Sequence, residues 1–224
     1  IDDFLDPEVN LAPLPVKDAD GRIKLPALDN HGMGTVFEEL IRRFNEDNNE
    51  EAGEHFTPRD VVQLMAKLLF LPVADRIESS TYSLYDGSCG TGGMLISTAA
   101  ELRRKGKEWR NLRLYGQELN YGTSAIARMN LFLHGVEDFE IIRGDTLSDP
   151  KHIEGDRLRQ FDVILVDSTD PVDAAVELFT EAFYRHCATL LGERGILVPQ
   201  SDSPTFYLHR VTDVYRKLSA IFRH

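Results

Sequence analysis

Apolar positions recur at helical spacing from Gly34, at Val36, Phe37, Leu40, Ile41 and Phe44, and give way to the polar run Asn45 to Gly53. A second helical face follows at Val61, Val62, Leu64, Met65, Leu68 and Leu69. Its start is marked by Thr57 as cap, Pro58 at the first helical position and Asp60 at the third. Tyr82 to Tyr85 reads as a short buried strand that runs into Asp86 and a glycine-dense turn, and the pattern from Gly92 onward is a helix again. Further strands are predicted at Leu112–Gly116 (closed by Gln117, Glu118, Leu119 and Asn120), Phe139–Arg143, Phe161–Val166 and Gly195–Pro199. Helices are predicted from about Gly122 to His134, from Ala174 to Leu191 and from Pro204 to Phe222. Strands that are apolar on both faces and alternate with helices make an α/β fold, a parallel sheet covered on both sides. Residues 1–32, with prolines at 7, 13, 15 and 26, read as an extended leader, residues 33–75 as a helical part, and 76–224 as the sheet domain.

In open parallel sheets ligands bind beyond the carboxyl ends of the strands. That rule gathers the acids Asp86, Glu118, Asp145 and Asp167, one at the end of each of the first four strands, on one rim beside the turn Gly87-Ser88-Cys89-Gly90-Thr91-Gly92-Gly93. The glycines let the backbone take positive φ and approach a ligand, and the helix after them presents free amide donors. An acid at the end of the second strand is placed to accept two hydrogen bonds from a ribose, which argues for a nucleoside cofactor. Taken singly, a glycine turn is often structural and a strand-end acid is often a helix cap; together on one rim they point to a site. A phosphate-binding loop is not predicted, because the pattern Gly-x-x-x-x-Gly-Lys-Ser/Thr is absent. An acid beside the turn also suits a cationic or hydroxylated ligand better than a pyrophosphate.

Composition narrows the classes. The 224 residues hold 25 Lys and Arg against 37 Asp and Glu, a net charge of −12, which opposes unaided binding to DNA. The dense basic cluster, Arg103, Arg104, Lys105, Lys107 and Arg110, reads as a helix C-terminus complementing the dipole. No run of about 18 apolar residues and no basic-then-apolar leader is present, so a soluble cytoplasmic chain is expected. Cys89 and Cys187 lack ligand-spaced companions, and neither a disulfide nor a metal site is predicted.

Residues from about 33 to 165 resemble the modification (methyltransferase) subunit of type I restriction-modification systems, adenine-N6 DNA methyltransferases that use S-adenosylmethionine. The residues carrying this are Gly34 to Phe44, Gly53-Glu54-His55-Phe56-Thr57-Pro58, Asp86 to Leu95, Gly116-Gln117-Glu118-Leu119-Asn120 and Gly144-Asp145-Thr146-Leu147, in the family's order. The resemblance implies the Rossmann-like sheet of class I S-adenosylmethionine-dependent methyltransferases. It further implies that His55, Phe56, Thr57 and Pro58 close over the methionine part of the cofactor. The turn from Asp86 to Gly93 would hold the amino-acid end, Glu118 and Leu119 the ribose side, and Asp145 and Thr146 would lie near the adenine. A separate DNA-recognition subunit is the partner that family works with.

The pattern then breaks. Where that family has Asn-Pro-Pro-Phe/Tyr after the fourth strand, this chain has Asp167-Ser168-Thr169-Asp170, without the prolines or the aromatic platform for a flipped base. Residues 161–224 are instead similar to the C-terminal half of spermidine synthase, through Val166 to Val172, Leu178 to Tyr184 and Gly195 to Pro204. That resemblance would make Asp167 the proton acceptor for an attacking amine, with Asp170 holding the diamine, Gln200 near the site and decarboxylated S-adenosylmethionine as donor. The family's Gly-Gly-Gly-Asp-Gly-Gly motif is missing, and Asp173-Ala174-Ala175 replaces its Gly-Pro-Ala. The sequence reads as a chimera of two transferase halves whose seam falls near 161–167, lacking the antiparallel strand pair that usually completes such a sheet. An exposed sheet edge that invites self-association follows from this. Three functions are expected to compete: a methyltransferase core, an aminopropyltransferase, and a folded scaffold without activity.

Overall fold

The computed structural model describes residues 6–47, 59–70, 81–106, 109–167, 173–201 and 204–222. Its centre is a five-stranded sheet in the order β5-β4-β3-β8-β9, formed by β3 (Tyr82–Asp86), β4 (Leu112–Glu118), β5 (Phe139–Arg143), β8 (Phe161–Val166) and β9 (Leu191–Pro199). All neighbouring pairs are parallel. Two small antiparallel hairpins stand apart from it, β1 (Val16–Lys17) with β2 (Ile23–Leu25), and β6 (Ile153–Glu154) with β7 (Arg157–Leu158).

The strands alternate faithfully. Leu84, Leu112, Leu114, Ile141, Val163 and Leu165 pack on one face against helix α2 (Arg59–Phe70), α3 (Gly93–Arg104) and α4 (Tyr121–Leu133), which contribute Val62, Leu69, Leu95, Leu102 and Leu131. On the other face, Tyr85, Tyr115, Ile164 and Val166 pack against Cys187 and Phe183 of α5 (Glu181–Leu190), joined by Phe222 just past α6 (Pro204–Ile221). Burying both faces is why these strands carry near-continuous apolar runs. One polar residue interrupts β8: Asp162 Oδ2 accepts hydrogen bonds from the Ser83 amide (2.8 Å) and hydroxyl (2.7 Å) of the adjacent strand. With its oxygen so engaged, a carboxylate can sit in the sheet without a large desolvation penalty. Ring packing crosses the same junction, Phe161 stacking on Tyr85 with centroids 4.6 Å apart.

Several predicted elements differ in extent. The helix expected over Ala174–Leu191 is two pieces: a 3-10 segment Asp173–Phe179, then α5, whose cap Thr180 accepts the Phe183 amide at 3.1 Å. A hydroxyl cap offers the chain a restart that periodicity alone passes over. The fifth strand begins at Leu191, four residues earlier than predicted, and α1 begins at Asn30 and runs to Asp47. Within the leader, Asn10 Nδ2 donates to the carbonyls of Leu14 and Pro26, and Asp18 Oδ1 accepts the Asp20 and Arg22 amides, closing the β1–β2 hairpin. The cap at Thr57 and Pro58 lies outside the described residues. Among the described residues the sheet has no antiparallel strand, and no helix is long and apolar enough to cross a membrane.

Helix α1 rests on α4 through Gly34, where an added Cβ would lie 2.4 Å from His134 Nε2. Gly34→Ala is expected to lower stability by about 1–3 kcal/mol through overpacking, read as a shifted midpoint in urea unfolding; an unchanged midpoint would show that α1 is not docked there.

Candidate functional site

The order β5-β4-β3-β8-β9 reverses direction between β3 and β8, and such a switch point leaves a crevice at the carboxyl ends of the two strands. Asp86, the last residue of β3, is delivered there with only 1% of its surface exposed. The turn that follows is held from three sides. The Ser88 amide donates to Asp86 Oδ1 (3.1 Å), and the Ser88 hydroxyl donates to the Asp167 carbonyl (2.6 Å), across the crevice. The Cys89 amide donates to the Gln117 carbonyl at 3.1 Å, and the Gly90 amide to Glu118 Oε2 at 3.1 Å. Glu118 Oε1 accepts the Asn120 amide at 2.8 Å, so the carboxylate is fixed between the end of β4 and the turn.

Gly92 (φ +83°) is the N-cap of α3, a backbone state that L side chains rarely adopt, and it offers no side-chain acceptor to the first amides of the helix. An added Cβ at Gly90 or Gly93 would meet nothing within 4 Å among the described residues, which leave the outer surface of the turn uncovered. Behind the turn the packing is tight: a Cβ at Gly116 would lie 2.8 Å from Cys89 Sγ and 2.6 Å from Ile141 Cδ1.

Electrostatics set Asp86 apart. Burial first, then the nearby Asp167 and Glu118 carboxylates, push it up to about 8, against the opposing hydrogen bond from Ser88. It therefore holds a proton at neutral pH unless a cation arrives to replace it. Burial, reinforced by Asp86 and Glu118, also drives the Cys89 thiol well above its ordinary value, which makes it an inert core group rather than a nucleophile.

Asp145 behaves differently. Its oxygens accept the Ser148 hydroxyl (2.8 Å) and the Leu147 amide (3.0 Å), which hold its carboxyl below the usual range and close a turn after β5. Thr146 reaches the rim directly, its hydroxyl donating to the Gly87 carbonyl. Leu119 follows Glu118 and is exposed. Gln200 is half-buried after β9, its main-chain N–H donating to the Val166 carbonyl at 2.8 Å beside Asp167. The structure thus brings Asp86, Ser88, Gly90, Glu118, Thr146 and Asp167 to one rim, while Asp145 serves its own turn. Thr91 is joined to α4, its carbonyl accepting Asn130 Nδ2 at 3.1 Å. His55, Phe56, Thr57, Pro58 and Asp170 lie outside the described residues.

One participant was missed from the sequence. Gln117 is 0% exposed, and its amide bridges the Asp149 carbonyl (3.0 Å) and the Lys151 amide (2.9 Å). A polar residue between Gly116 and Glu118 in an otherwise buried strand was the available signal. Of the basic cluster, Arg104 and Lys105 pair with Glu101 at the end of α3. Among the described residues no group of three or more His, Cys, Asp or Glu is placed to hold a metal ion.

Residues 28–169 match the N-6 DNA methylase family, more than half of the chain. The chain belongs to that family. A second match, to the spermine/spermidine synthase domain, covers residues 145–224 and overlaps the first across β8. The methylase subunit of the type I restriction enzyme MpnII of Mycoplasma pneumoniae is 35% identical over 119 residues, 52% of this chain and 20% of that protein. The polyamine aminopropyltransferase of Bacillus subtilis is 51% identical over 63 residues, 28% of this chain and 23% of that enzyme. Among solved structures, the type I restriction-modification methyltransferase subunit of Streptococcus thermophilus superposes with a TM-score of 0.56 at 27% identity, covering 75% of this chain and 38% of that one. The chain spans only about a fifth to a quarter of the curated relatives it matches. An N-6 DNA methylase core with a spermidine synthase-like end is therefore what the sequence contains.

The elevated Asp86 has a measurable consequence. Between about pH 4 and 8 the folded chain keeps a proton that the unfolded chain has lost, so stability falls as pH rises across that window, by at most about 1.4 kcal/mol per unit. Asp86→Asn is expected to flatten this dependence relative to the parent in urea unfolding from pH 5 to 8; parallel profiles would place the proton elsewhere.

Proposed function

We propose that this chain is an S-adenosylmethionine-binding transferase core of the adenine-N6 DNA methylase type whose base-accepting loop has been replaced. The observation that carries the reading is the convergence of Asp86 and Glu118 on the Ser88–Gly90 stretch of the glycine turn at the switch point. S-adenosylmethionine is a sulfonium and an ammonium joined to a nucleoside. A buried carboxyl that gives up its proton to a cation suits the first part, and Glu118, with lone pairs beyond those used by Gly90 and Asn120, suits two ribose hydroxyls. The open outer face of the turn allows the carboxylate end to approach the first amides of α3. His55 to Pro58 would close over the methionine part. Asp145 and Thr146 would flank the adenine, with Leu119 as an apolar surface.

Base methylation is a separate matter. The register after β8 gives Asp167-Ser168-Thr169-Asp170, with no amide to hold an exocyclic amine and no ring to stack on a flipped base. With a net charge of −12, DNA would be engaged only alongside a recognition subunit, as in the relatives' type I assemblies. The second reading is aminopropyl transfer from the decarboxylated cofactor, favoured by the match of residues 145–224 to the spermine/spermidine synthase domain. There Asp167 would take the proton of the attacking amine, with Asp170 and Gln200 holding the diamine. A cytoplasmic location fits either chemistry.

Titration calorimetry with S-adenosylmethionine, its decarboxylated form and S-adenosylhomocysteine separates the readings. The first and third are expected to bind more tightly than the second. Asp86→Ala and Glu118→Ala are each expected to abolish binding, and Asp167→Asn to leave it near the parent value. Preference for the decarboxylated form would favour the aminopropyl reading, and no binding by a cooperatively folded chain would overturn both.

A further inference from the structure

Gln117 occupies a place that no functional reading has used. It is fully buried, on the opposite face of β4 from Gly116 and one residue before Glu118. Its main-chain carbonyl accepts the amide of Cys89 in the glycine turn, and its side chain points into the segment after β5. There the carboxamide makes two complementary bonds, Nε2 donating to the Asp149 carbonyl at 3.0 Å and Oε1 accepting the Lys151 amide at 2.9 Å. Gly144 leaves space for this: an added Cβ would come within 3.0 Å of Gln117 Nε2. The next residue of the segment, His152, is anchored separately, with Nε2 3.0 Å from the Gly116 carbonyl and its ring edge-on to Tyr85 and Tyr115. At the other end the Gly144 amide donates to the Glu118 carbonyl at 3.0 Å. Residues 145–151 are thus a loop with both feet fixed, whose first half is tied by Thr146 to Gly87 and by Asp145 to its own turn, and whose second half is held at Asp149 and Lys151 by the Gln117 side chain.

We propose that Gln117 is the positioning residue of the cofactor site: its carboxamide latches the loop 145–151, and so sets Thr146 against the glycine turn that its own carbonyl holds in place. The inference rests on the cofactor reading above. A carboxamide is suited to the task because it donates and accepts at once, and so can satisfy a carbonyl and an amide of the same loop. Leucine of similar size would leave both loop groups unmet in a buried place. An ionised glutamate would keep the acceptor, lose the donor and face the Asp149 carbonyl with like polarity. A protonated glutamate would restore the pair. Thr146 transmits the effect to the rim, since its hydroxyl is bonded to the Gly87 carbonyl of the turn.

The test compares the parent chain with Gln117→Leu, Gln117→Glu and Gly144→Ala, the last crowding both the carboxamide and the Lys151 side chain without altering either. Affinities for S-adenosylhomocysteine and for 5′-methylthioadenosine, which shares only the nucleoside end, are measured well below each unfolding midpoint. Amide hydrogen exchange is followed at Lys151. Gln117→Leu is expected to weaken both ligands by the same factor, at least about tenfold, and to speed exchange at Lys151 by at least that much. Exchange at Ile141, on β5 outside the loop, should stay at the parent rate. For Gln117→Glu, the affinity relative to the parent is expected to fall as pH rises and the added carboxyl ionises, a dependence that simple loss of packing would not produce. Folded variants with parent affinity and parent exchange at Lys151 would overturn the proposal. Should Gln117→Leu not fold, Gly144→Ala and Gln117→Glu report on the same latch. If the parent binds neither ligand, the cofactor reading has failed, and exchange at Lys151 alone then decides whether the latch exists.

Discussion

The parallel pairing of β3 with β8 is the constraint on which the rest of this molecule depends. Leu84, Tyr85 and Asp86 lie beside Val163, Ile164 and Leu165, and the helices that come after the two strands, α3 and α5, pack on opposite faces of the sheet. That divergence opens the crevice in which Asp86 is buried and across which Ser88 reaches the carbonyl of Asp167. Every other feature of the rim, from the positive φ of Gly92 to the reach of Glu118 toward Gly90, is built outward from this junction. The charge environment has the same origin: two strand ends brought side by side put Asp86 close to Asp167, while burial supplies the larger part of its raised affinity for a proton.

The sheet is legible in the sequence because the central strands β3 and β8 are apolar on both faces, and because β3, β4, β5 and β8 each run into an acid or a glycine. Periodicity cannot see the hydroxyl cap at Thr180, which divides one predicted helix into two elements. The leader hairpin rests on side-chain bonds of Asn10 and Asp18 to the backbone, local interactions that leave no periodic trace. The grouping at the rim is legible where residue type and position coincide, as at Asp86, Gly90 and Glu118, which the fold brings together. Strand-end position groups Asp145 with the other acids, yet its carboxylate is engaged by Leu147 and Ser148, two and three residues on. Strand-end position specifies where an acid sits and says nothing about which donors reach it first. Gln117 was passed over for the converse reason: its partners, Asp149 and Lys151, are more than thirty residues away in sequence.

Two families share this one sheet. The N-6 DNA methylase match ends at residue 169 and the spermine/spermidine synthase match begins at 145, so β8 belongs to both. A parallel apolar strand is an interchangeable part so long as volume and pattern are kept, and here Val163 and Leu165 pack into the core with α2 and α3 while Ile164 and Val166 pack with Cys187 of α5. The two faces of a single strand are thereby assigned to helices from different halves.

Apolar interchangeability alone would leave the two halves free to slide past each other, since one valine or leucine serves much like the next. The bond between Ser83 and Asp162 removes that freedom. Moving β8 by one residue would turn Asp162 toward the other face, away from the serine that receives it, and would strand a carboxylate in the sheet. The pair acts as a keyway: it adds little to cohesion, but it admits a single alignment of strand against strand. By fixing that alignment it also fixes how far Asp167 stands beyond Asp86 at the opposite end of the strands.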